Sequence, residues 1–129
     1  MIKKLLKSSA RPLLKKIESF KNIHRGESCY LFGDGLSIKY FDLNKFTDKI
    51  SIPCGFLLFH NDFKVLNAPY AMLIEPYYFY PICRYSLNKK IILNNIQKQY
   101  RKEINQRSDI NFFINLSNYP VLLYKNITY

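Results

Sequence analysis

The stretch Ser28-Cys29-Tyr30-Leu31-Phe32-Gly33-Asp34-Gly35-Leu36-Ser37 constrains the fold of this chain more than any other. Cys29 to Phe32 is an apolar run too short to show alternation, which suits a central strand covered on both faces. Two glycines follow within three positions, and Ser37 stands where a helical turn can begin. In α/β proteins that junction is where a ligand phosphate sits, because glycine lets the backbone approach and free N–H groups face the anion. A Gly-x-Gly alone is weak evidence, since glycine also serves tight turns for purely conformational reasons.

The rest of the chain supplies the sheet this strand needs. Lys49-Ile50-Ser51-Ile52 reads as a second strand ending at Pro53, followed by Cys54-Gly55-Phe56-Leu57-Leu58-Phe59, a loop entering a short helix. Tyr70 to Ile74 reads as a third strand, which Glu75-Pro76 ends because proline cannot continue a ladder. Asn88 to Gln106 is the clearest helix: Ile92, Ile96, Tyr100 and Ile104 recur every four residues, with Lys98, Arg101 and Lys102 on the wet face. Asp109 to Ile114 is a fourth strand, and Val121 to Tyr129 is a short helix or a further strand. This alternation predicts an α/β domain with a Rossmann-like, mostly parallel sheet and flanking helices. Two segments are expected, 1–25 and 26–129. The end at Ile127-Thr128-Tyr129, without a closing helix, predicts a truncated domain.

Residues 1–25 form the basic lead-in. They carry eight of the twenty lysines and arginines against the single acid Glu18, and hold most of the formal net charge of +11. Ile2, Leu5, Leu6, Leu13, Leu14, Ile17 and Phe20 fall at helical spacing between these charges, with a break at Ser8-Ser9 before Arg11-Pro12. Such a helix either packs its apolar stripe on the domain or a partner protein, or touches an anionic membrane surface through residues 1–20. Charge concentrated in one terminal segment argues against a nucleic-acid-binding face, so no nucleic acid is expected as a partner. Three widely spaced cysteines, Cys29, Cys54 and Cys83, with no C-x-x-C, indicate neither a disulfide framework nor a zinc site. A cytoplasmic location is expected, with peripheral contact at the inner membrane face.

Chemistry-bearing signatures are few. There is no Walker loop, no third glycine of a dinucleotide fingerprint, no H-E-x-x-H and no G-x-S-x-G. No resident cofactor and no metal are expected. His24 reads as an exposed loop histidine, with a role as ligand or base as the alternative. His60 and Asp62, two apart, do not share a helix face and make a weak base–orienter pair. Glu75 stands at the end of a parallel strand, the edge where α/β proteins bind ligands, and is equally an ordinary solvated acid. Tyr77-Tyr78-Phe79-Tyr80-Pro81 either stacks on a base or sugar or lids the core, and Arg84 is a nearby candidate phosphate partner.

The run from Ile23-His24-Arg25-Gly26-Glu27 through Ser37 resembles the opening of a bacterial family that includes motility accessory factors and 6-hydroxymethylpterin pyrophosphokinase-like proteins. It is also similar to the start of the related bacterial lipooligosaccharide sialyltransferases, whose loop is of the type Gly-Asn-Gly-Pro-Ser. The resemblance continues through Asp42-Leu43, Ile50-Ser51-Ile52, Phe59-His60-Asn61-Asp62-Phe63, Tyr70 to Pro76 and Asp109 to Tyr129, and spans the N-terminal half of that fold. It implies a glycosyltransferase-like protein of surface glycan or polysaccharide synthesis that binds a nucleotide-activated sugar, a CMP-sugar being the best-known donor.

The resemblance maps Gly33, Asp34, Gly35 and Ser37 onto the phosphate loop, and Gly55 and Glu75 near the base or sugar. Asp34 replaces Asn, Leu36 replaces Pro, and Gly55 replaces an Asn that contacts the nucleotide. No catalytic residue maps onto this chain, which implies that it is inactive alone. The rival expectation is a non-catalytic interaction module that docks through its basic N-terminus.

Overall fold

The computed structural model describes residues 11–76, 78–80, 87–119 and 121–129. The first ten residues of the basic lead-in, Tyr77 and Pro81 of the aromatic cluster, Cys83 and Arg84 lie outside them. The chain belongs to the α/β class, with two α-helices and small parallel sheets among the described residues.

Among the described residues five strands make up two small sheets: β1 (Cys29–Phe32), β2 (Ile50–Pro53), β3 (Tyr70–Leu73), β4 (Asn111–Ile114) and β5 (Ile127–Thr128). β1 pairs in parallel with β2, β3 with β4 and β4 with β5. β2 and β3 meet through two isolated parallel bridges, Ile50 to Asn67 and Cys54 to Met72, and Ser51 N–H donates to Asn67 O at 2.7 Å. The two bridges differ in register by one residue, so the ladder between them is broken. Pro69, which has no N–H to offer, lies in the longer of the two opposed stretches.

Strand order therefore follows chain order without reversal. Parallel crossovers share one hand, so crossovers that all step in one direction fall on one face of the sheet. The burial pattern agrees. In β2, β3 and β4 alternate residues are buried, namely Ser51, Pro53, Ala71, Leu73, Phe112 and Ile114. Against them pack Leu43, Leu57, Leu58, Phe63, Tyr100, Ile104 and Leu122, all from the connecting segments. The opposite face, with Ile52, Tyr70, Met72 and Phe113, is only half-buried.

Two expectations change here. β1 pairs only with β2 among the described residues and lies at the edge; it is not a central strand. Its Leu31 is 68% exposed, because no crossover passes over the second face. Most of the flanking segments are short 3-10 turns (Leu36–Tyr40, Leu43–Phe46, Gly55–Phe59, Phe63–Val65, Leu116–Asn118), where longer α-helices would cover more of the sheet.

Residues 11–18 form helix α1, whose Lys16 ammonium donates to Lys125 O and Ile127 O at 2.8 and 2.7 Å. The turn that follows sends Phe20 edge-on into Tyr70 and Phe113, covering part of the second sheet face. Helix α2 (Leu87–Gln106) buries Gln97, Tyr100 and Ile104. Its predicted stripe holds only in the C-terminal half. Ile92 is exposed together with Leu87 and Ile91, so the first turns reach past the core. No helix among the described residues is long and apolar enough to cross a membrane.

Candidate functional site at the carboxyl edge of the sheet

The pairing of Phe32 with Pro53 brings the chain beyond β1 alongside the chain beyond β2, and Cys54 N–H extends the ladder to Phe32 O at 3.0 Å. Two residues further on, Asp34 faces Gly55. Its Oδ1 accepts from the Phe56 backbone N–H at 2.7 Å, satisfying a donor in the first turn of the 3-10 segment Gly55–Phe59. Gly55 has φ +52°, and a Cβ there would overlap the Asp34 carboxylate. Glycine at 55 is thus required twice, by backbone conformation and by close approach. Gly33 and Gly35 are not among the positive-φ residues, so neither supplies a left-handed turn.

Beside this contact opens a cavity of about 250 Å³. Gly33 and Asp34 reach it from the end of β1, Cys54, Gly55 and Phe56 from the end of β2, and Ile74 and Glu75 from the end of β3; Tyr78, Phe79 and Tyr100 close the far side. Four of the six residues named from the sequence, Gly33, Asp34, Gly55 and Glu75, come together on it. The other two do not. Gly35 caps the 3-10 turn Leu36–Tyr40, and Ser37 stands exposed within it.

The aromatic wall is pinned from behind. Fully buried Asn118 accepts the Phe79 N–H at 3.0 Å on Oδ1 and donates through Nδ2 to Glu75 O at 2.9 Å. Gln97 donates to the carbonyls of Tyr78 and Tyr80. Arg101 donates to Phe79 O at 3.1 Å and Val121 O at 3.0 Å, and its guanidinium lies 5.4 Å from the Phe79 ring centre. Arg101 is therefore turned inward as a clamp, where helical spacing had placed it on the wet face. Sequence reasoning missed these three because the groups of the wall that each one holds lie at least seventeen residues away along the chain.

Among the described residues, two carboxylates and no lysine, arginine or histidine line the cavity. Burial, and secondarily the Asp34 charge, raises the Cys54 thiol above its ordinary value. Burial first, then Asp34 and Glu75, also raises the Tyr78 hydroxyl, and burial raises that of Tyr100 most of all. Both phenols and the thiol are therefore neutral near pH 7, and Cys54 is no nucleophile there. The site offers carboxylate acceptors, hydroxyl groups that donate or accept, and aromatic faces. It is suited to a neutral or cationic group bearing hydroxyls or a ring. A phosphate would meet the Asp34 carboxylate at the Phe56 N–H.

The two histidines lie elsewhere. His60 Nδ1 accepts the backbone N–H of Asp62 at 3.1 Å, so that pair involves no carboxylate. His24 joins Glu27 and Tyr70 in a hydrogen-bonded trio. No group of three acidic, histidine or cysteine side chains that could hold a metal occurs among the described residues. Comparison with protein-family models, curated proteins and solved structures gave no significant match.

Proposed function

We infer that this chain is the donor-binding part of a glycosyltransferase-like protein of Rossmann-like class, acting in surface glycan or polysaccharide synthesis. We further infer that the cavity receives the nucleoside end of a nucleotide-activated sugar. The observation that carries this reading is the convergence of Asp34 and Glu75 with Phe56, Tyr78 and Tyr100 at the carboxyl edge of a parallel sheet. Open α/β sheets bind ligands at that edge, and a carboxylate there accepts hydrogen bonds from ribose hydroxyls. Aromatic side chains give a planar base its stacking surface. The volume suits one ring of the ligand, so the phosphates point outward to solvent and away from Asp34.

Calorimetric titration of the chain with cytidine, a CMP-sugar and inorganic pyrophosphate tests this reading. Cytidine and the CMP-sugar are expected to compete for one site that Glu75→Ala abolishes, while pyrophosphate does not compete. Binding of pyrophosphate alone, or of none of the three, overturns it.

A second reading rests on the outer face of α1. Leu14 and Ile17 are 46% and 43% exposed there, in a helix that also exposes Arg11 and Lys15. An apolar strip edged with basic residues is the pattern of a helix lying on an anionic membrane surface. Under this reading the chain cosediments with phosphatidylserine vesicles and not with phosphatidylcholine vesicles, and Leu14→Glu abolishes the difference.

A further inference from the structure

At the opposite, amino edge of the sheet a second constellation is assembled. The turn after α1 contains Asn22 at φ +65°, the one non-glycine residue with positive φ among those described, and Gly26 at φ +85°. Asparagine and glycine are the residues that adopt this left-handed conformation most readily, and here they shape the turn. Between these two residues the chain carries His24, and just after them Glu27. His24 Nδ1 lies 3.0 Å from Glu27 Oε2, and His24 Nε2 lies 2.7 Å from Tyr70 Oη on the first residue of β3. A carboxylate only accepts, so in the neutral ring Nδ1 carries the proton, Nε2 holds the lone pair, and the Tyr70 hydroxyl donates to it.

The trio thus has the order of hydroxyl, base and orienter that activates a nucleophile. It is reachable: the His24 side chain is 38% exposed. It also borders an open apolar cavity of about 280 Å³, floored by Ile52, Met72 and Phe113 and flanked by Phe20 and Ile23. None of these residues lines the donor cavity except Met72, which spans the two.

We propose that Tyr70, His24 and Glu27 form a separate acyl-transfer site that takes small aryl esters with an apolar acyl group. Tyr70 Oη attacks the ester carbonyl and its proton passes to His24 Nε2. As the tetrahedral adduct collapses, the bond from carbonyl carbon to the leaving aryl oxygen breaks, the aryloxide departs, and it or solvent takes that proton from His24. A tyrosyl ester remains. Water then adds to it, giving its proton to His24. The bond from the acyl carbon to Oη breaks, the phenolate recovers the proton, and the carboxylic acid departs. Glu27 holds the imidazole in the required tautomer and stabilises its charged form, acting as a positioning residue. The same hydrogen bonds tie the 19–27 turn to β3, but a tether alone does not turn over an ester.

The test uses the full chain with p-nitrophenyl butyrate. The expected result is a burst of nitrophenolate approaching one equivalent, with intact-mass and peptide analysis placing the butyryl group on Tyr70. Tyr70→Phe keeps the ring packed against Phe20 and Phe113 and is expected to remove both burst and adduct. His24→Ala is expected to slow acylation roughly 100-fold or more, the range of a lost general base, with partial rescue by added imidazole. Glu27→Gln is expected to lower kcat with KM unchanged. Melting curves and circular dichroism of each variant report folding, and His24→Gln replaces any variant that fails to fold. Equal hydrolysis by wild type and Tyr70→Phe, or acylation confined to lysines, overturns the proposal.

Discussion

Asp34 Oδ1 accepts the Phe56 backbone N–H at 2.7 Å, linking the ends of two neighbouring parallel strands through one carboxylate. In a phosphate-binding turn an exogenous anion fills that kind of position; here the chain carries its own. Asp34 and Gly55 are consequently coupled. Gly55→Ala is expected to cost about 2–3 kcal/mol, combining roughly 1–2 kcal/mol for a Cβ in the left-handed region with the overlap on Asp34. Made in an Asp34→Ala background, the same change should cost about 1 kcal/mol less, the sign of a direct contact. Urea unfolding of the four-protein cycle measures the coupling, and strict additivity would remove the contact from the explanation.

Alkaline pH should unfold this protein earlier than its size suggests. Tyr78 and Tyr100 are raised above 10 chiefly by burial, and Tyr129 is raised to about 12 by burial and then by Tyr119 and Tyr80. A phenol whose folded value exceeds its unfolded one keeps its proton only in the folded state. The unfolded chain then binds fewer protons, and stability falls as pH rises. The loss begins near pH 10, where unfolded tyrosines ionise, and continues to about 12 for Tyr129. Urea midpoints between pH 7 and 11 should hold level and then drop, and Tyr129→Phe should make the drop shallower.

Asn118 is expected to be the costliest single polar substitution on the wall of the donor cavity. Asn118→Ala leaves the buried Phe79 N–H and the part-buried Glu75 carbonyl without their partner. A buried donor left unsatisfied costs about 1–3 kcal/mol, and the cavity from the lost side chain adds to this. A loss of about 3 kcal/mol is expected, with faster amide exchange over residues 75–80. Unchanged exchange there would mean that Gln97 and Arg101 suffice to hold the wall.

Two hydroxyls in the core point the other way. Ser51 Oγ and Thr128 Oγ1 are buried without a hydrogen-bond partner among the described residues. Ser51→Ala and Thr128→Val remove the desolvation penalty and are each expected to raise stability by up to about 1 kcal/mol. Chemical denaturation of the single variants decides it. A loss of stability in both would show that these hydroxyls find partners in solution.

Much of the local order was legible in the chain. Cys29 to Phe32, Ile50 to Pro53, Tyr70 to Leu73 and the long helix ending at Gln106 are strands and a helix where apolar runs, prolines and four-residue spacing place them. These are short-range effects of steric preference and hydrophobic period, and they act on any chain with this pattern. Asp34 and Glu75 stand on one cavity because successive parallel strands bring their carboxyl ends to one edge, whereas Gly55 is named only through the resemblance.

Three things required the tertiary structure. The first is that β1 lies at an edge with Leu31 exposed, because strand order depends on which strands pair and not on what each contains. The second is the inward turn of Arg101, whose carbonyl partners come from Phe79 and Val121. The third is the meeting of His24 with Tyr70, forty-six residues apart, through a turn built on Asn22 and Gly26. Sequence determined which segments are strand, turn and helix, because those depend on neighbours a few bonds away. Only the folded chain decided which polar groups meet, because their partners are chosen by packing across the sheet.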